Sequence, residues 1–489
     1  GDVSGNHGSA DCWVLKLDAT GTLVWQKALG GSGGDAATCI RQTSDGGYLL
    51  AGSTTSNDGD VSGNHGSEDF WVVKLDAVGT LQWQKALGGS DSDDANSIHL
   101  TSDGGSIVVG NTRSNDGDVS GNHGSEDLWV VKLDPAGVLV WQRAFGGSSV
   151  DYGTSIHQTT NGGYIVAGLT DSNNGDVSGN HGNIDYWVVK LDSAGTLVWQ
   201  KALGGTNDDR AWSIQQTGDG GFTVAGSAIS NDGDVIGNHG NHDFWVVRLD
   251  PAGALVWQNA LGSSAHDWAS CIRQTSDGGY IAAGYAGSDD GDVTGNHGVE
   301  DYWVVKLDPL GTLIWQKSLG GSQIEWAFSI EQTSDEGYVM VGDGASVDGD
   351  ATGCDGGEDF WVVKLAGSVG VEELYTPVFT LSPNPAHNTV LLDLPQQFQN
   401  ATLTLTDATG REVLRQAVNA REQRVDLRGV AEGLYLFTLR SAEGISSQRL
   451  VVEEAAQRTS TSSRNIHAGW PSPARPSGMR CTARARITT

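Results

Sequence analysis

The sequence predicts an all-β chain, with a β-propeller of six or seven four-stranded blades followed by a small immunoglobulin-like β-sandwich. Three observations predict it. The octapeptide Gly-Asp-Val-Ser-Gly-Asn-His-Gly opens at Gly1 and returns, with variations, at Gly59, Gly117, Gly175, Gly233, Gly291 and Gly349, always 58 residues on. Each period holds four short apolar runs separated by Gly- and Asp-rich turns. The 489 residues carry 70 glycines but only 10 prolines, together with 17 tryptophans that belong in a packed core rather than a disordered chain.

Within one period the first run is Phe70 to Asp76 and the second Leu81 to Leu87. A third runs from about Ala95 to Thr101. Gly104-Gly105, after Asp103, marks a tight hairpin into the fourth, about Ile107 to Asn111. A loop of Asp, Gly and Asn then returns to the next aromatic run. In the first run Phe70 and Val72 share one face, and Trp71, Val73 and Leu75 the other. A strand apolar on both faces must be covered on both. Face-to-face packing of such sheets is a propeller; a β-solenoid, whose coils are shorter and lack tight hairpins, is the rival.

Leu75-Asp76-Ala-Val-Gly79-Thr-Leu-Gln-Trp83 resembles the tryptophan-docking motif of quinoprotein-type propellers, shortened by one residue between Asp and Gly. The resemblance implies that the glycine turn joins the third and fourth strands of a blade. On that phase the chain holds five whole blades, a half blade over residues 9 to 30, and a three-stranded blade at the end. Because the chain opens inside the repeated motif, it reads as a fragment whose upstream sequence completes the ring.

Sixty acids against 29 bases give a formal charge of −31, which repels nucleic acid and anionic membranes and favours divalent cations. No apolar run is long enough to span a membrane as a helix. Five scattered cysteines make neither a disulfide framework nor a zinc set.

The long loop has calcium-loop spacing. Asp58, Asp60, Ser62, the Asn64 carbonyl and Asp69 fall at positions 1, 3, 5, 7 and 12 of an EF-hand frame, with Gly63 at position 6. The frame returns at Asp116, Asp118, Ser120, Asn122 and Asp127, and at Asp290, Asp292, Thr294, Asn296 and Asp301. It persists at Asp348, Asp350, Thr352 and Asp359. It weakens at Asp176, Ser178 and Asp185, where Asn174 takes position 1, and at Asp232, Asp234 and Asp243, where Ile236 cannot ligate. The alternative is that these residues build Asx-turns without metal. One histidine per loop (His65 and its copies) is a poor zinc set and is expected to bond within the loop.

Between sheets, one column is always acidic: Asp35, Asp93, Asp151, Asp209, Asp267 and Glu325. It is expected to hold crossover amides. The next column varies: Ala36, Asp94, Tyr152, Arg210, Trp268, Trp326, with Trp212 and Phe328 two residues further on. Tyr152, Arg210, Trp212, Trp268 and Trp326 are therefore the candidate ligand residues, suited to stacking on a sugar or a peptide. Packing between blades is the alternative for the tryptophans. No nucleophile elbow, zincin or phosphate-loop motif occurs.

After Leu365 the period stops, and residues 366–377 read as a linker. Next come Pro383-Asn384-Pro385, then Asp407-Ala-Thr-Gly410-Arg-Glu-Val413, then Gly433-Leu-Tyr435. In this order they resemble the type A sorting domain of the type IX secretion system of Bacteroidetes, over residues 378–453. The resemblance implies export across the outer membrane, recognition by that machinery, and attachment at the cell surface. Residues 454–489, rich in Arg and without acids from residue 455 on, read as a frameshifted, disordered tail.

The sequence thus predicts a secreted or surface-attached binding or adhesion protein. Its loops are calcium-stabilised, it is more readily a module than an enzyme, and its ligand is a glycan or a protein. The alternatives are a secreted carbohydrate-active enzyme with its site on the crossover face, and a spacer without ligand.

Overall fold

The computed structural model describes residues 5–351, 357, 359–366, 379–382, 386–394, 401–407, 412–418, 420–441 and 444–452. Most of the expected linker and the whole of the tail at 454–489 fall outside them, as do Thr352 and the Pro383-Asn384-Pro385 opening. The described residues form strands and no helix. Two compact units divide between residues 369 and 370.

The first unit is a succession of seven antiparallel sheets. The second is complete: Asp35–Gln42, Tyr48–Thr54, Asp69–Leu75 and Leu81–Leu87 lie side by side in chain order. The third to sixth repeat it, opening with Asp93–Leu100, Asp151–Gln158, Asp209–Gln216 and Asp267–Gln274. The first sheet consists of Cys12–Leu17 and Leu23–Leu29, the counterparts of a third and a fourth strand. The seventh consists of Glu325–Gln332, Tyr338–Gly344 and Asp359–Leu365.

Strand ends differ from the expected ones. In the third sheet the first strand starts at Asp93, not Ala95, because Asp93 and Asp94 pair with Thr112 and Asn111 across the hairpin. The acidic column therefore opens a strand instead of lying in a crossover. In the second sheet the third strand runs Asp69–Leu75 rather than Phe70–Asp76. Asp76 is spent on the turn, where its Oδ1 accepts the amides of Val78 and Thr80 at 2.9 and 2.8 Å.

Two relationships join each sheet to the next. The first links residue n of one third strand to residue n+59 of the next. Phe70 meets Trp129 at 4.4 Å between ring centroids, Tyr186 meets Trp245 at 4.4 Å, and Phe244 and Tyr302 meet Trp303 and Trp361 at 4.5 Å. Such pairs contribute about 0.5–1.5 kcal/mol each beyond their buried area. For Phe360 the rule names position 419, past the repeats. Its ring instead meets Trp13, edge-on at 6.0 Å. Trp13 stands seven 58-residue steps before position 419, so the seventh sheet neighbours the first, although among the described residues no strand pairing closes the ring and these two sheets are incomplete. Of the two expected counts, the contact selects seven.

The second relationship is tryptophan docking. Trp25, Trp83, Trp141, Trp199 and Trp257 of the fourth strands lie under Gly79, Gly137, Gly195, Gly253 and Gly311, in the turn of the following sheet. At these glycines φ lies between 77° and 82°.

The Gly-Gly hairpins are held from below. The Lys132 ammonium, almost fully buried, donates to Asp103 Oδ1 at 3.2 Å and the Leu133 carbonyl at 2.8 Å. Asp103 also accepts the Thr101 hydroxyl and the Gly105 amide.

The second unit has a three-stranded sheet (Thr380–Ser382, Thr389–Asp393, Glu422–Asp426) and a four-stranded one (Glu412–Val418, Ala401–Asp407, Gly433–Ser441, Gly444–Val452). Val390, Leu392 and Val425 from one and Leu403, Leu405 and Phe437 from the other share a single core, which makes it a β-sandwich.

Candidate functional site

First strands stand nearest the axis of the ring, because they bond directly to one another. Each carries a β-bulge at its fourth residue. In the second to fourth sheets that residue is polar and bridges to the next first strand. Thr38 Oγ1 donates to the Ala95 carbonyl at 2.8 Å, Asn96 Nδ2 to Gly153 at 2.9 Å, and Thr154 Oγ1 to Ala211 at 2.9 Å. In the fifth to seventh sheets the bulge residue is Trp212, Ser270 and Phe328 instead. Bulges re-aim side chains, and here Thr38, Asn96 and Thr154 aim bridges while Trp212 and Phe328 aim rings.

The aromatic half forms one array at the end of the ring that carries the long loops. Trp212 lies 5.6 Å from Trp268. Trp268 stacks nearly parallel to Tyr285 at 6.4 Å, and Tyr285 meets Trp326 at 5.5 Å. His242 packs on Trp268 at 5.0 Å and on His266 at 5.5 Å. Trp326 Nε1 donates to Glu300 Oε2 at 2.6 Å. The three tryptophans are half-buried and Phe328 is exposed. Burial, with His266 and Arg210 alongside, holds His242 neutral, with its pKa pushed down to about 4. Burial and the Glu300 carboxylate push the Tyr285 phenol up to about 12.

Of the five residues expected to meet a ligand, Trp212, Trp268 and Trp326 come together in this array. Tyr152 does not: its hydroxyl donates to Glu126 Oε2 at 3.0 Å, and Glu126 is also held by Asn111 and Arg113. Arg210 is tied to Asp208 at 2.8 Å, yet its Nε has no partner among the described residues; neither do Trp212 Nε1 and His242 Nδ1. Tyr285 and His242 escaped the sequence reading. The signal for Tyr285 was available, since its column reads Ser53, Asn111, Leu169, Ser227, Tyr285, Asp343 and varies as the ligand column does.

Further down the first strands the axis is filled. His99 and His157 lie 4.6 Å apart, and Arg273 pairs with Glu331 at 2.8 Å. Burial, then Arg41, holds His99 down to about 4, and burial with His99 alongside holds His157 well below its ordinary value. A separate recess of about 460 Å³ opens near the hairpins, between Trp257, Tyr280, Pro251 and Pro309. The polar groups around it, Arg248 and Asp219, already pair with each other.

The calcium-like loops place their carboxylates on backbone amides. Position 1 braces the crossover of the preceding sheet. Asp58 accepts the Ser32 amide at 2.7 Å, Asp116 that of Ser90 at 2.8 Å, Asp232 that of Thr206 at 2.8 Å, and Asp290 and Asp348 those of Ser264 and Ser322 at 2.7 Å. Asn174 does the same for Ser148 at 2.8 Å, so the task needs an acceptor rather than a charge. Asp60, Asp176, Asp234 and Asp292 reach the amides of Gly30, Gly146, Gly204 and Gly262 at 3.3 to 3.4 Å. Ser62, Ser120, Ser178 and Thr294 receive the Gln84, Gln142, Gln200 and Gln316 amides. The side chains of Asn64, Asn122 and Asn296 bond the Thr54, Thr112 and Ala286 carbonyls.

Position 12 is buried. Asp69 Oδ2 accepts the His65 amide at 2.9 Å and contacts its ring Nδ1 at 2.7 Å, an arrangement repeated at Asp127, Asp185, Asp243 and Asp301. Burial raises these carboxyls while the histidine opposes it. Among the described residues their Oδ1 atoms have no hydrogen-bond partner. Among the described residues no group of three or more His, Cys, Asp or Glu is placed to hold a metal.

The acidic column holds crossover amides, as expected. Asp93 Oδ2 accepts the Gly89 amide at 2.7 Å and the Ser114 hydroxyl at 2.8 Å.

Comparison with known proteins bears on the two units unequally. Part of the chain is 29% identical over 134 residues to the regulatory protein FlaEY of Caulobacter vibrioides; the match takes in 26% of this chain and 14% of that protein. Among solved structures, PorZ, an essential surface component of the type IX secretion system of Porphyromonas gingivalis, is 14% identical with a TM-score of 0.31, over 88% of this chain and 62% of that one. A puromycin hydrolase variant is 11% identical with a TM-score of 0.37, over 84% and 57% of the two chains. These scores carry no functional argument. Among the described residues no helix is long and apolar enough to cross a membrane. Residues 380–453 match the secretion system C-terminal sorting domain, so the chain carries a type IX sorting domain and is a secreted, cell-surface protein that engages the secretion machinery.

Proposed function

We propose that the first unit is a non-catalytic binding module displayed at the cell surface, and that its ligand is a glycan held at the aromatic array. The observation that carries this reading is the run Trp212–Trp268–Tyr285–Trp326, confined to three of seven sheets. A fold built by repetition needs no such asymmetry for its stability. Aromatic walls with a few convergent polar groups are the make-up of a ligand site. The apolar faces of sugar rings stack on indoles.

Titration of the full chain with a glycan library, followed by tryptophan fluorescence, tests it. Trp268→Ala and Trp326→Ala are expected to lose binding at least tenfold while remaining folded by near-ultraviolet circular dichroism. Released sugar would move the protein to the carbohydrate-active enzymes. Absence of binding to any glycan, with capture of a purified surface protein instead, would make the array a protein interface.

Calcium is a second proposal with its own support. The buried, unpartnered Oδ1 atoms of Asp69, Asp127, Asp185, Asp243 and Asp301 are oxygen acceptors that a hard cation would satisfy.

A further inference from the structure

We propose that the seam between one sheet and the next holds a calcium ion, gripped from one side by the aspartate that ends the long loop and from the other by the acidic column. The inference rests on the calcium reading above and moves the ion out of the loop frame to a site shared by two sheets.

Asp69 opens the third strand of the second sheet, and Asp93 opens the first strand of the third. The Gly88-Gly89 crossover runs between them. A Cβ on Gly88 would stand 2.7 Å from Asp69 Oδ1 and 2.5 Å from Asp93 Oδ2, so both oxygens face the one space that the glycine leaves open. The arrangement recurs along the ring. At Gly146 the oxygens of Asp127 and Asp151 both lie 2.7 Å from such a Cβ, and at Gly204 those of Asp185 and Asp209 do the same. At Gly262 the distances are 3.0 Å for Asp243 and 2.6 Å for Asp267, and at Gly320 they are 2.6 Å for both Asp301 and Glu325.

These carboxylates are all 0% exposed. Two like charges facing each other away from water are strongly unfavourable unless a counter-charge joins them. The loop histidine bonds the opposite oxygen, Oδ2, and leaves Oδ1 of Asp69 and Asp127 without a partner among the described residues. Asp93 cannot swing away, because the Gly89 amide and the Ser114 hydroxyl fix its Oδ2.

The donor set selects the ion. Zinc favours nitrogen and sulfur, and magnesium keeps several of its waters. Calcium takes oxygens alone, at about 2.3–2.6 Å, and tolerates an irregular shell. Each seam supplies two carboxylates, which match its charge, and leaves the rest of the shell to backbone oxygen and water.

The repeats also separate the seam from the loop frame. The frame has Asn174 in place of its first aspartate in one loop and Ile236 in place of its hydroxyl in the next. The seams at the ends of those two loops, Asp185 with Asp209 and Asp243 with Asp267, are intact.

The test counts calcium bound to the full chain by equilibrium dialysis, after stripping with EDTA. Asp93→Asn, Asp151→Asn and Asp209→Asn, combined, keep an acceptor for the crossover amides and should lower the count by three ions. Asp116→Asn with Ser120→Ile copies what Asn174 and Ile236 already do in other loops, where Gln258 bonds the Ile236 carbonyl instead, and should leave the count unchanged. If the triple variant does not fold, Asp151→Asn alone should remove one ion. A count that the seam variants leave unchanged overturns this inference while calcium binding itself stands. No bound calcium overturns both.

Discussion

Gly137 lies flat on the indole of Trp83, and a Cβ at residue 137 would stand 2.8 Å from the ring. The glycine is also left-handed, at φ 77°. Gly137→Ala therefore meets two penalties. The left-handed backbone costs about 1–2 kcal/mol for a residue with a Cβ. Forcing a methyl against a packed ring costs about 1–3 kcal/mol more. Denaturant unfolding is expected to show the sum. Trp83→Leu, which frees the space above, is expected to leave mainly the backbone part.

The docking motif was legible in the sequence because Asp, Gly and Trp recur at short spacing in each repeat, but not that each glycine covers the tryptophan of the preceding sheet. Contacts between repeats were less so. Phe70 against Trp129 spans 59 residues, and nothing in the run Phe-Trp-Val-Val says which neighbour each face meets. The count of seven rests on Phe360 reaching Trp13, a contact that exists only once the ring turns back on itself. The loop acids were legible as oxygen donors. Their amide partners were not, since Ser32 lies 26 residues before Asp58, in the crossover that enters the sheet. Tyr285 was missed for the same reason: its partner Trp326 comes from the next sheet.

Trp212 occupies the bulge position that Thr154 fills one repeat earlier. The Thr154 hydroxyl donates to Ala167 at 3.0 Å and to Ala211 at 2.9 Å. Trp212→Thr places the same hydroxyl within reach of Ala225 and Ala269. A net hydrogen bond of about 0.5–1.5 kcal/mol then offsets part of the lost ring packing. The variant is expected to stay folded, by near-ultraviolet circular dichroism, and to lose glycan binding. Retained binding would place the ligand away from the array.

His99 and His157 make the protein sensitive to acid. Both have native pKa values below that of the unfolded chain, near 4 for His99. Between pH 6.5 and 4 the unfolded chain therefore binds more protons than the native one. Their contribution is in place above pH 6.5 and is lost as pH falls through that window. Gln215 fills the same column and accepts the Gln274 amide at 2.8 Å, as His99 Nδ1 accepts that of Gln158 at 3.4 Å. His99→Gln with His157→Gln should thus keep the axis packed and flatten the fall of the melting temperature between pH 6.5 and 4. An unaltered slope would assign the acid sensitivity to other groups.

Asp116 and Asp127 separate amide bracing from calcium binding. Asp116 Oδ1 holds the Ser90 amide, a task that Asn174 performs for Ser148. Asp116→Asn should leave the melting temperature in EDTA unchanged, whereas Asp116→Ala, which leaves the Ser90 amide without this acceptor, should lower it. Asp127 keeps one oxygen on the His123 amide and leaves the other free. If a cation uses that free oxygen, calcium at 100 times its dissociation constant adds about 2.7 kcal/mol per site. The melting temperature should then rise in calcium over EDTA, and Asp127→Asn should shrink the increment. Equal melting in calcium and EDTA would leave Asp127 as a partner of His123 alone and reduce the loops to braces between sheets.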